Sequence, residues 1–304
     1  MNQIEVIITE KEMGMRLDAA VSILNEKISR NVAQTLIKEE KILLNGKPSK
    51  VSAKVKLNEI ITMPEEVEEK ISENLVAEDI PIDILYEDDD IVIVNKPKDM
   101  VVHPAIGNHT GTLVNAMLGK HELSDANGEF RPGIVHRLDK NTTGAMMVAK
   151  NNFAHNHLAN QIQNHEIKKI YIALVKGVIK ENDAVIEMPI GRHPTDRKKM
   201  AVVKDGRDAY TKFKVLERFK GYTLIEVELK TGRTHQIRVH MSHIGYPIVG
   251  DDVYSNGKNP FGATSQMLHS KTLGITHPTK GEWMEFNAPL PEEFERVLEI
   301  LRNE

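Results

Sequence analysis

The chain has 304 residues and no cysteine, so disulfides, thiolate zinc sites and a cysteine nucleophile are excluded. With 40% hydrophobic and 28% charged residues it has the composition of an ordinary soluble protein, and it is long enough for two domains. No run approaches the ~18 apolar residues of a membrane helix and the first residues show no secretory pattern, so we expect a cytoplasmic protein with no membrane partner.

The net charge of −4 is distributed unevenly along the chain. Residues 65–90 contain twelve acidic residues and one basic residue, whereas residues 191–220 contain ten basic and four acidic residues. A polyanion such as RNA responds to the local field and not to the total charge. The second segment therefore indicates either a surface that contacts phosphates or an ordinary solvated basic face.

The first part of the chain predicts a small unit of strands and helices. Residues 4–8 predict a short strand. Apolar residues at helical spacing predict a first helix at 17–24. Ser29 is a candidate N-cap for a second helix, whose apolar face spans residues 32–37.

A β-hairpin follows these helices, because Asn45-Gly46 is the strongest short hairpin signal. Residues 54–61 show another strand pattern. Residues 64–80 are acidic, poor in aromatic residues and begin with a proline, which is typical of a linker. We therefore predict an N-terminal domain at 1–63, with its core at about 14–61, and an acidic linker at 64–80.

The remaining residues, 81–304, predict a second domain in which strands outnumber helices. Strands are predicted at 84–86, 91–96, 145–149, 168–177, 209–217, 222–230 and from 268, and helices at 112–118, 153–163, within 231–241 and from Pro291. The basic segment 191–207 is interpreted as a loop. Because hairpins dominate, the predicted class is α+β with a mostly antiparallel mixed sheet.

One segment, residues 131–144 (RPGIVHRLDKNTTG), concentrates charge and turn residues between apolar runs. Arg137 and Asp139 are two positions apart, so in extended chain their side chains point to the same face. Gly133 and Gly144 allow tight backbone on either side. This pattern fits a catalytic acid held on a loop, and it equally fits a structural ion pair.

The small domain resembles the alpha-L RNA-binding motif, a module shared by a ribosomal small-subunit protein and several RNA-modifying enzymes. The matching pieces are MRLD at 15–18, SRN at 29–31 and ILLNGK at 42–47. Glu40 departs from the motif, because a glycine often precedes the strand there. The resemblance implies that Arg16, Arg30 and Lys47 bind RNA.

The larger domain is similar to the RluA/RluD family of ribosomal large-subunit pseudouridine synthases. Its motifs occur in order along the chain: NKP at 95–97, HP at 103–104, GIVHRLDK at 133–140, YIALVKG at 171–177 and TGRTHQIRVH at 231–240. Asp99 departs from the pattern, which usually has glycine there. The resemblance implies that the protein converts uridine in structured RNA to pseudouridine, with 23S ribosomal RNA as the foremost expected target. It also implies that the reaction needs no cofactor and no nucleotide cofactor.

The resemblance also assigns roles to single residues. Asp139 takes the part of the catalytic carboxylate, and Arg238 is its expected ion-pair partner, with Arg233 of the same motif as the open alternative. Tyr171 is expected to pack against the uracil, and Arg137 to fill the space that the flipped nucleotide leaves. His136 is expected to order the loop or contact RNA, and the further RNA-binding candidates are Arg233 and Gln236.

Several alternatives remain open at this stage. The spacing of His235, His240 and His243 is poor for a shared metal site, so no metal is expected. The same RNA-binding surfaces would serve a ribosome-assembly factor with dispensable catalysis, and a carboxylate would also serve a nucleoside hydrolase. The target could be transfer RNA, the intermediate could be sugar-linked or a glycal, and a monomer is expected over an oligomer.

Overall fold

The computed structural model describes residues 3–25, 28, 30–65, 75–104, 110–126, 131–196, 199–255 and 260–304. The chain divides into two compact units, Met1–Ser72 and Glu73–Glu304. Most of the predicted acidic linker, residues 66–74, lies outside the described residues, so its extent stays a prediction. The described part of it that follows belongs to the larger unit, because Leu75 and Ile80 pack against the core there.

The smaller unit packs two helices against a three-stranded antiparallel sheet in the order β1-β3-β2. Its elements are β1 (Gln3–Ile7), α1 (Leu17–Leu24), α2 (Arg30–Lys38), β2 (Leu43–Leu44) and β3 (Ile60–Pro64). The apolar faces of the helices and of β3 are fully or almost fully buried together. The two predicted helices are confirmed, and the candidate cap Ser29 lies outside the described residues.

The Asn45-Gly46 turn is confirmed in the geometry that this dipeptide favours. Both residues have positive φ, 53° and 70°, and Leu44 and Lys47 exchange backbone hydrogen bonds of 2.9 and 3.1 Å across them. The predicted strand at 54–61 is wrong in its position. Asn58 adopts a left-handed φ of 64° and makes a turn, so the strand starts only at Ile60.

The larger unit contains eleven strands and four α-helices among the described residues. They are β4 (Asp83–Glu87), β5 (Ile91–Lys96), α3 (Leu113–Leu118), β6 (Thr143–Ala149), α4 (Asn152–Gln163), β7 (Lys168–Lys176), β8 (Asp183–Glu187), β9 (Ile190–Arg192), β10 (Met200–Val202), β11 (Tyr210–Phe219), β12 (Tyr222–Leu229), α5 (Gln236–His243), β13 (Leu268–Thr276), β14 (Trp283–Asn287) and α6 (Glu292–Arg302). The predicted helices match α3 to α6. Strands β8 and β14 were not predicted.

Nine strands form one mixed sheet in the order β4-β5-β6-β13-β7-β12-β11-β8, with β14 beside β13. Strand β13 runs parallel to β6 and antiparallel to β7, and the remaining pairings of this sheet are antiparallel. The predicted class, α+β with a mostly antiparallel mixed sheet, is therefore confirmed. Pairing of β13 with both β6 and β7 brings distant parts of the sequence together at the centre of the sheet.

The central strands are buried on both faces, which explains their continuous apolar runs. Alternate residues of β5, β6, β7 and β12 contribute to a core that also contains α3 and α5. The intervening residues of β5 and β6 pack against α4, and those of β7 and β12 pack against α6.

The predicted loop at 191–207 is wrong in part, because β9 and β10 form an antiparallel pair there. The pair is tied to the rest of the chain by two backbone hydrogen bonds between Ile190 and Arg207. Each strand has only three residues, which is too short for an alternating pattern to show in the sequence.

Candidate active site

The loop that precedes β6 is fixed by two glycines. Gly133 and Gly144 have φ of 68° and 110°, and a Cβ on either would lie 2.6 Å from the Ala149 carbonyl or 2.2 Å from the Ser270 carbonyl. A side chain at these positions would push the backbones apart. The tight backbone predicted on both sides of Asp139 is therefore present.

His136 supports this loop from within. Its Nε2 accepts a hydrogen bond of 3.0 Å from the backbone amide of Met147 in β6, and burial lowers the pKa of His136 to about 3. The ring is therefore neutral and engaged with the protein. Of the two roles predicted for His136, the geometry supports loop ordering, and its contact with RNA stays a prediction.

Asp139 forms an ion pair with Arg238, which α5 supplies from 99 positions further along the chain. Arg238 Nη1 donates to Asp139 Oδ2 at 3.0 Å. The rest of the guanidinium is engaged by Asp251, to which Nε and Nη2 donate at 2.7 and 3.0 Å. The alternative partner Arg233 instead donates its Nε to the Asp208 carbonyl at 2.8 Å.

The charges around Arg238 explain why this buried cation is stable. Burial alone would lower the pKa of Arg238, but Asp251 and Asp139 together raise it further above its usual range. Asp251 is itself buried, and its Oδ1 also accepts the backbone amides of Val253 and Tyr254. Sequence reasoning missed Asp251, because a single aspartate after Gly250 carries no motif.

Asp139 and Tyr171 face one open cleft. Tyr171 lies in β7, and burial raises the pKa of its hydroxyl to about 12, so the phenol is neutral at physiological pH. The cleft is lined by Arg137, Leu138, Asp139, Thr142, Tyr171, Leu229, Gly232, Arg233, Thr234, His235, Gln236, Ile237, Arg238 and Leu268. The structure thus brings the predicted residues of three motifs together.

Gln236 lines the cleft but holds its own turn together. Its Nε2 donates to the Tyr210 carbonyl and Thr211 Oγ1, and its Oε1 accepts from Thr231 Oγ1 and the Arg233 amide, all at 2.8 to 3.0 Å. The side chain is buried and its hydrogen-bonding capacity is filled. The geometry therefore supports a structural role for Gln236, and its contact with RNA stays a prediction.

Lys96 belongs to the NKP motif at 95–97, to which the sequence assigns no role. Its side chain is fully buried beneath the loop at 131–144. Its Nζ donates to the carbonyls of Pro97, Met100 and Lys140 at 2.7 to 3.0 Å. Burial lowers the pKa of Lys96 to about 7, against the opposing charges of Asp139 and Asp99. Three acceptors match the three hydrogens of the ammonium form, so Lys96 ties the residue after Asp139 to the 96–100 turn.

The RNA-binding candidates of the smaller unit differ in how free they are. Arg16 and Arg30 are about half exposed, yet each donates to the buried carboxylate of Asp18, at 2.9 and 3.1 Å. Gln34 donates to the same carboxylate at 2.8 Å. Lys47 is exposed in the hairpin turn and has no ion-pair partner among the residues that the structure describes.

Among the described residues, one group of metal-ligand type comes together: Asp88, Asp90 and His277. Its atoms already bind protein partners, because Asp88 Oδ2 accepts from His277 Nε2 and Lys280 Nζ, and Asp90 Oδ2 accepts from Thr279. A lysine ammonium beside the carboxylates fills the position that a cation would take.

Comparison with known proteins places this site in a family. Residues 90–243, half of the chain, match the model described as RNA pseudouridylate synthase, and residues 15–61 match the S4 domain. The chain belongs to the RNA pseudouridylate synthase family. Its activity is the isomerisation of uridine to pseudouridine in RNA, and its smaller unit is an RNA-binding S4 domain.

The relatives cover the chain almost completely. The "Uncharacterized RNA pseudouridine synthase YlyB" of Bacillus subtilis is 45% identical over 99% of each chain. The "Ribosomal large subunit pseudouridine synthase D" of Escherichia coli is 41% identical over 99% of this chain and 94% of its own. The solved structure "Human RNA Pseudouridylate Synthase Domain Containing 1" matches with a TM-score of 0.57 and 25% identity, over 75% of this chain and 97% of the human chain.

The described residues contain no helix long and apolar enough to cross a bilayer.

Proposed function

We propose that the protein isomerises specific uridines in large-subunit 23S ribosomal RNA, with Asp139 as the reacting carboxylate. The proposed target is supported by relatives named ribosomal large subunit pseudouridine synthase D, which are 41% and 44% identical over nearly the whole chain. We propose residues 1–63 as the RNA-binding domain, 64–80 as an acidic linker and 81–304 as the catalytic domain.

The observation that carries the proposal is the unequal use of the two oxygens of Asp139. Oδ2 is held by Arg238, whereas Oδ1 has no hydrogen bond among the described residues and faces the cleft. Arg238 thus occupies Oδ2. The other oxygen is then available to attack the sugar carbon or to stabilise positive charge there as the base leaves.

The remaining residues of the cleft fit the other needs of the reaction. The bond that breaks lies inside the nucleotide, so the base must first leave its stack. Arg137 is exposed beside the cleft, and its planar guanidinium suits the space that the base vacates. Tyr171 offers a neutral aromatic ring for packing against the uracil and a hydroxyl near the carbon that loses its proton.

Arg16, Arg30 and Lys47 of the S4 domain, and Arg233 at the cleft, are proposed to contact RNA. Contacts between such cations and phosphates position an RNA without reading its sequence. The basic β9–β10 pair and the residues that follow it are proposed as a further phosphate-contacting surface.

The test is Asp139→Asn, which keeps the shape of the side chain and removes its charge. We expect single-turnover pseudouridine formation on deproteinised 23S ribosomal RNA to fall by at least about 10⁴-fold, the size typical for loss of a catalytic aspartate. The dissociation constant for the RNA should stay within about twofold. Asp252→Asn, an exposed neighbour of the buried Asp251, is the matched control and should keep its activity. Turnover in purified Asp139→Asn protein would refute the assignment.

Mapping pseudouridines in RNA from cells with and without the gene identifies the target. If cells without the gene lack a pseudouridine in transfer RNA and none in 23S ribosomal RNA, transfer RNA replaces 23S ribosomal RNA as the substrate. Rescue of a ribosome-assembly defect by Asp139→Ala protein would favour the assembly factor. Release of free uracil would show hydrolysis, since isomerisation leaves the mass of the RNA unchanged.

A further inference from the structure

His235 places an imidazole beside the oxygen of Asp139 that Arg238 leaves free. Its Nε2 lies 3.9 Å from Asp139 Oδ1, which is too far for a hydrogen bond, and the side chain is 20% exposed. Within the described part of the chain, Nε2 has no hydrogen-bond partner. His235 also lines the cleft, so this nitrogen is available to a bound substrate.

The backbone of His235 is held in a conformation that non-glycine residues seldom adopt. Its φ and ψ are 56° and 22°, in the left-handed region, and the residue caps α5 without any side-chain capping bond. Such strain persists where the surrounding structure enforces it, and it is common at functional sites. The ring of His235 is thereby directed away from the helix end and bonds Tyr254.

Tyr254 fixes which nitrogen of His235 carries the proton. The Tyr254 oxygen lies 2.8 Å from His235 Nδ1 and also 2.8 Å from the Met200 backbone amide, which can only donate. The hydroxyl hydrogen of Tyr254 is therefore free to be donated to Nδ1, and this arrangement leaves the proton on Nε2. An N–H on Nε2 is also favoured by the adjacent carboxylate of Asp139.

The reaction needs a donor in this position. When the bond from C1′ to N1 breaks, its electron pair leaves with the uracil, and the negative charge spreads from N1 onto the two carbonyl oxygens. Later C5 bonds to C1′, the C5 proton departs and N1 gains a proton, so the overall reaction is balanced. A hydrogen bond to a carbonyl oxygen strengthens as the charge develops and lowers the barrier.

We propose that His235, held as the Nε2–H tautomer by Tyr254, donates a hydrogen bond to the departing uracil. The inference rests on the proposed role of Asp139, because that role places the sugar and the attached base beside Oδ1. Burial lowers the pKa of His235 below its usual range; Arg238 and Arg137 act in the same direction, against Asp139 and Asp251. The imidazole is thus neutral at physiological pH and acts by donation, without carrying a net charge.

The test compares His235→Gln with His235→Asn. Glutamine places an amide N–H near the position of Nε2, whereas asparagine tolerates the left-handed backbone but reaches only the position of Nδ1. In single-turnover reactions on deproteinised 23S ribosomal RNA, we expect His235→Asn to be about 100-fold slower, the size of a lost oxyanion donor, and His235→Gln to recover most of that loss. RNA affinity and thermal unfolding should match the wild type.

Two results would overturn the inference: His235→Asn with a rate within twofold of wild type, or glutamine and asparagine variants that are equally slow. If His235→Asn does not fold, Tyr254→Phe combined with His235→Gln decides. The Tyr254 hydroxyl acts through the imidazole of His235. Tyr254→Phe should therefore lower the single-turnover rate of the wild type severalfold and leave the rate of His235→Gln unchanged. Equal losses of rate in both backgrounds would refute the inference. The activity of the wild-type protein and its loss in Asp139→Asn are measured first. If either result is absent, the proposed function fails, and this failure is distinguished from a failure of the inference on His235.

Discussion

Asp18 and Asp139 each bind arginine, and they use their oxygens in opposite ways. Asp18 in the S4 domain is fully buried, and both of its oxygens receive hydrogen bonds, from Arg16, Arg30 and Gln34. Asp139 in the catalytic domain is partly exposed and has one oxygen bound by Arg238. Both oxygens of Asp18 are therefore engaged by the protein, whereas Asp139 Oδ1 has no hydrogen bond among the described residues and is the oxygen that we propose reacts.

The difference lies in what holds each arginine. Arg16 and Arg30 are half exposed and depend on Asp18 for their orientation, whereas Arg238 is buried and already engaged by Asp251. Because Asp251 takes two of its nitrogens, Arg238 can offer only one to Asp139. An aspartate and an arginine that form an ion pair therefore do not indicate a function by themselves. The other partners of the arginine decide whether one or both carboxylate oxygens are bound.

Asp251→Asn should produce the largest effect on this comparison. Loss of the buried charge leaves Arg238 with one carboxylate, and breaking a buried pair typically costs about 3–5 kcal/mol. We expect a decrease of that size in the free energy of unfolding, and Arg238 should turn toward both oxygens of Asp139 and abolish turnover. Denaturant unfolding and single-turnover kinetics measure the two effects, with Asp252→Asn as the control. Full activity in Asp251→Asn would mean that one carboxylate suffices to orient Arg238.

Asp18→Asn should destabilise the S4 domain in a pH-dependent way. Its Arg16 partner, with Arg30 and Gln34, lowers the pKa of Asp18 from 3.8 to about 2. A carboxyl with a depressed folded pKa contributes stability above about pH 4, and this is lost as pH falls towards 2. Screening at the exposed arginines reduces the effect to about 1–2 kcal/mol.

Hydrogen exchange of the amides in α1 and α2 of the full chain measures this loss. The difference between wild type and Asp18→Asn should be clear at pH 6 and should shrink at pH 2.5. Glu10→Gln, at an exposed position in the same unit, should change neither value. A difference that does not depend on pH would show that Asp18 acts by packing and not by charge.

Lys47→Ala and Arg30→Ala should give the smallest effects, and these effects are on RNA binding. Comparing the two variants distinguishes a lysine that is unpaired among the described residues from an arginine that an aspartate partly neutralises. Lys47 has no ion-pair partner within the described part of the chain, so its loss should lower the salt slope of RNA binding by about 1 and weaken binding severalfold. Arg30 is partly neutralised by Asp18, so its loss should change the slope less and hydrogen exchange in α2 more. Filter binding over a range of salt concentrations gives both slopes, and equal slopes would contradict the distinction.

The sequence predicts the fold well wherever a local pattern decides the structure. The Asn45-Gly46 turn, the apolar helices of the S4 domain and the buried runs of the sheet are such cases. It fails where the local pattern is too short or misleading. Strands β9 and β10 have three residues each, and the strand-like residues 54–58 turn because Asn58 adopts positive φ. The family resemblance found the residues of the cleft, but residue types alone left the ion pair undecided.

The roles of neighbours within one motif were harder to predict. Gln236 and His235 are adjacent, yet one is saturated by four protein partners and the other presents a free nitrogen to the cleft. Their difference depends on the left-handed backbone at His235 and on the Tyr254 hydroxyl, 19 positions away. Neither property can be deduced from the order of residues in the motif.

The pairing of Asp139 with a residue 99 positions later sets the order in which the protein becomes functional during its synthesis. The contacts that form the S4 core close within the first 72 residues, so this unit is complete early in translation. Asp139 gains its arginine only after α5 has emerged, and β6 gains its central neighbour β13 later still. A nascent chain therefore holds an RNA-binding unit before it holds an enzyme.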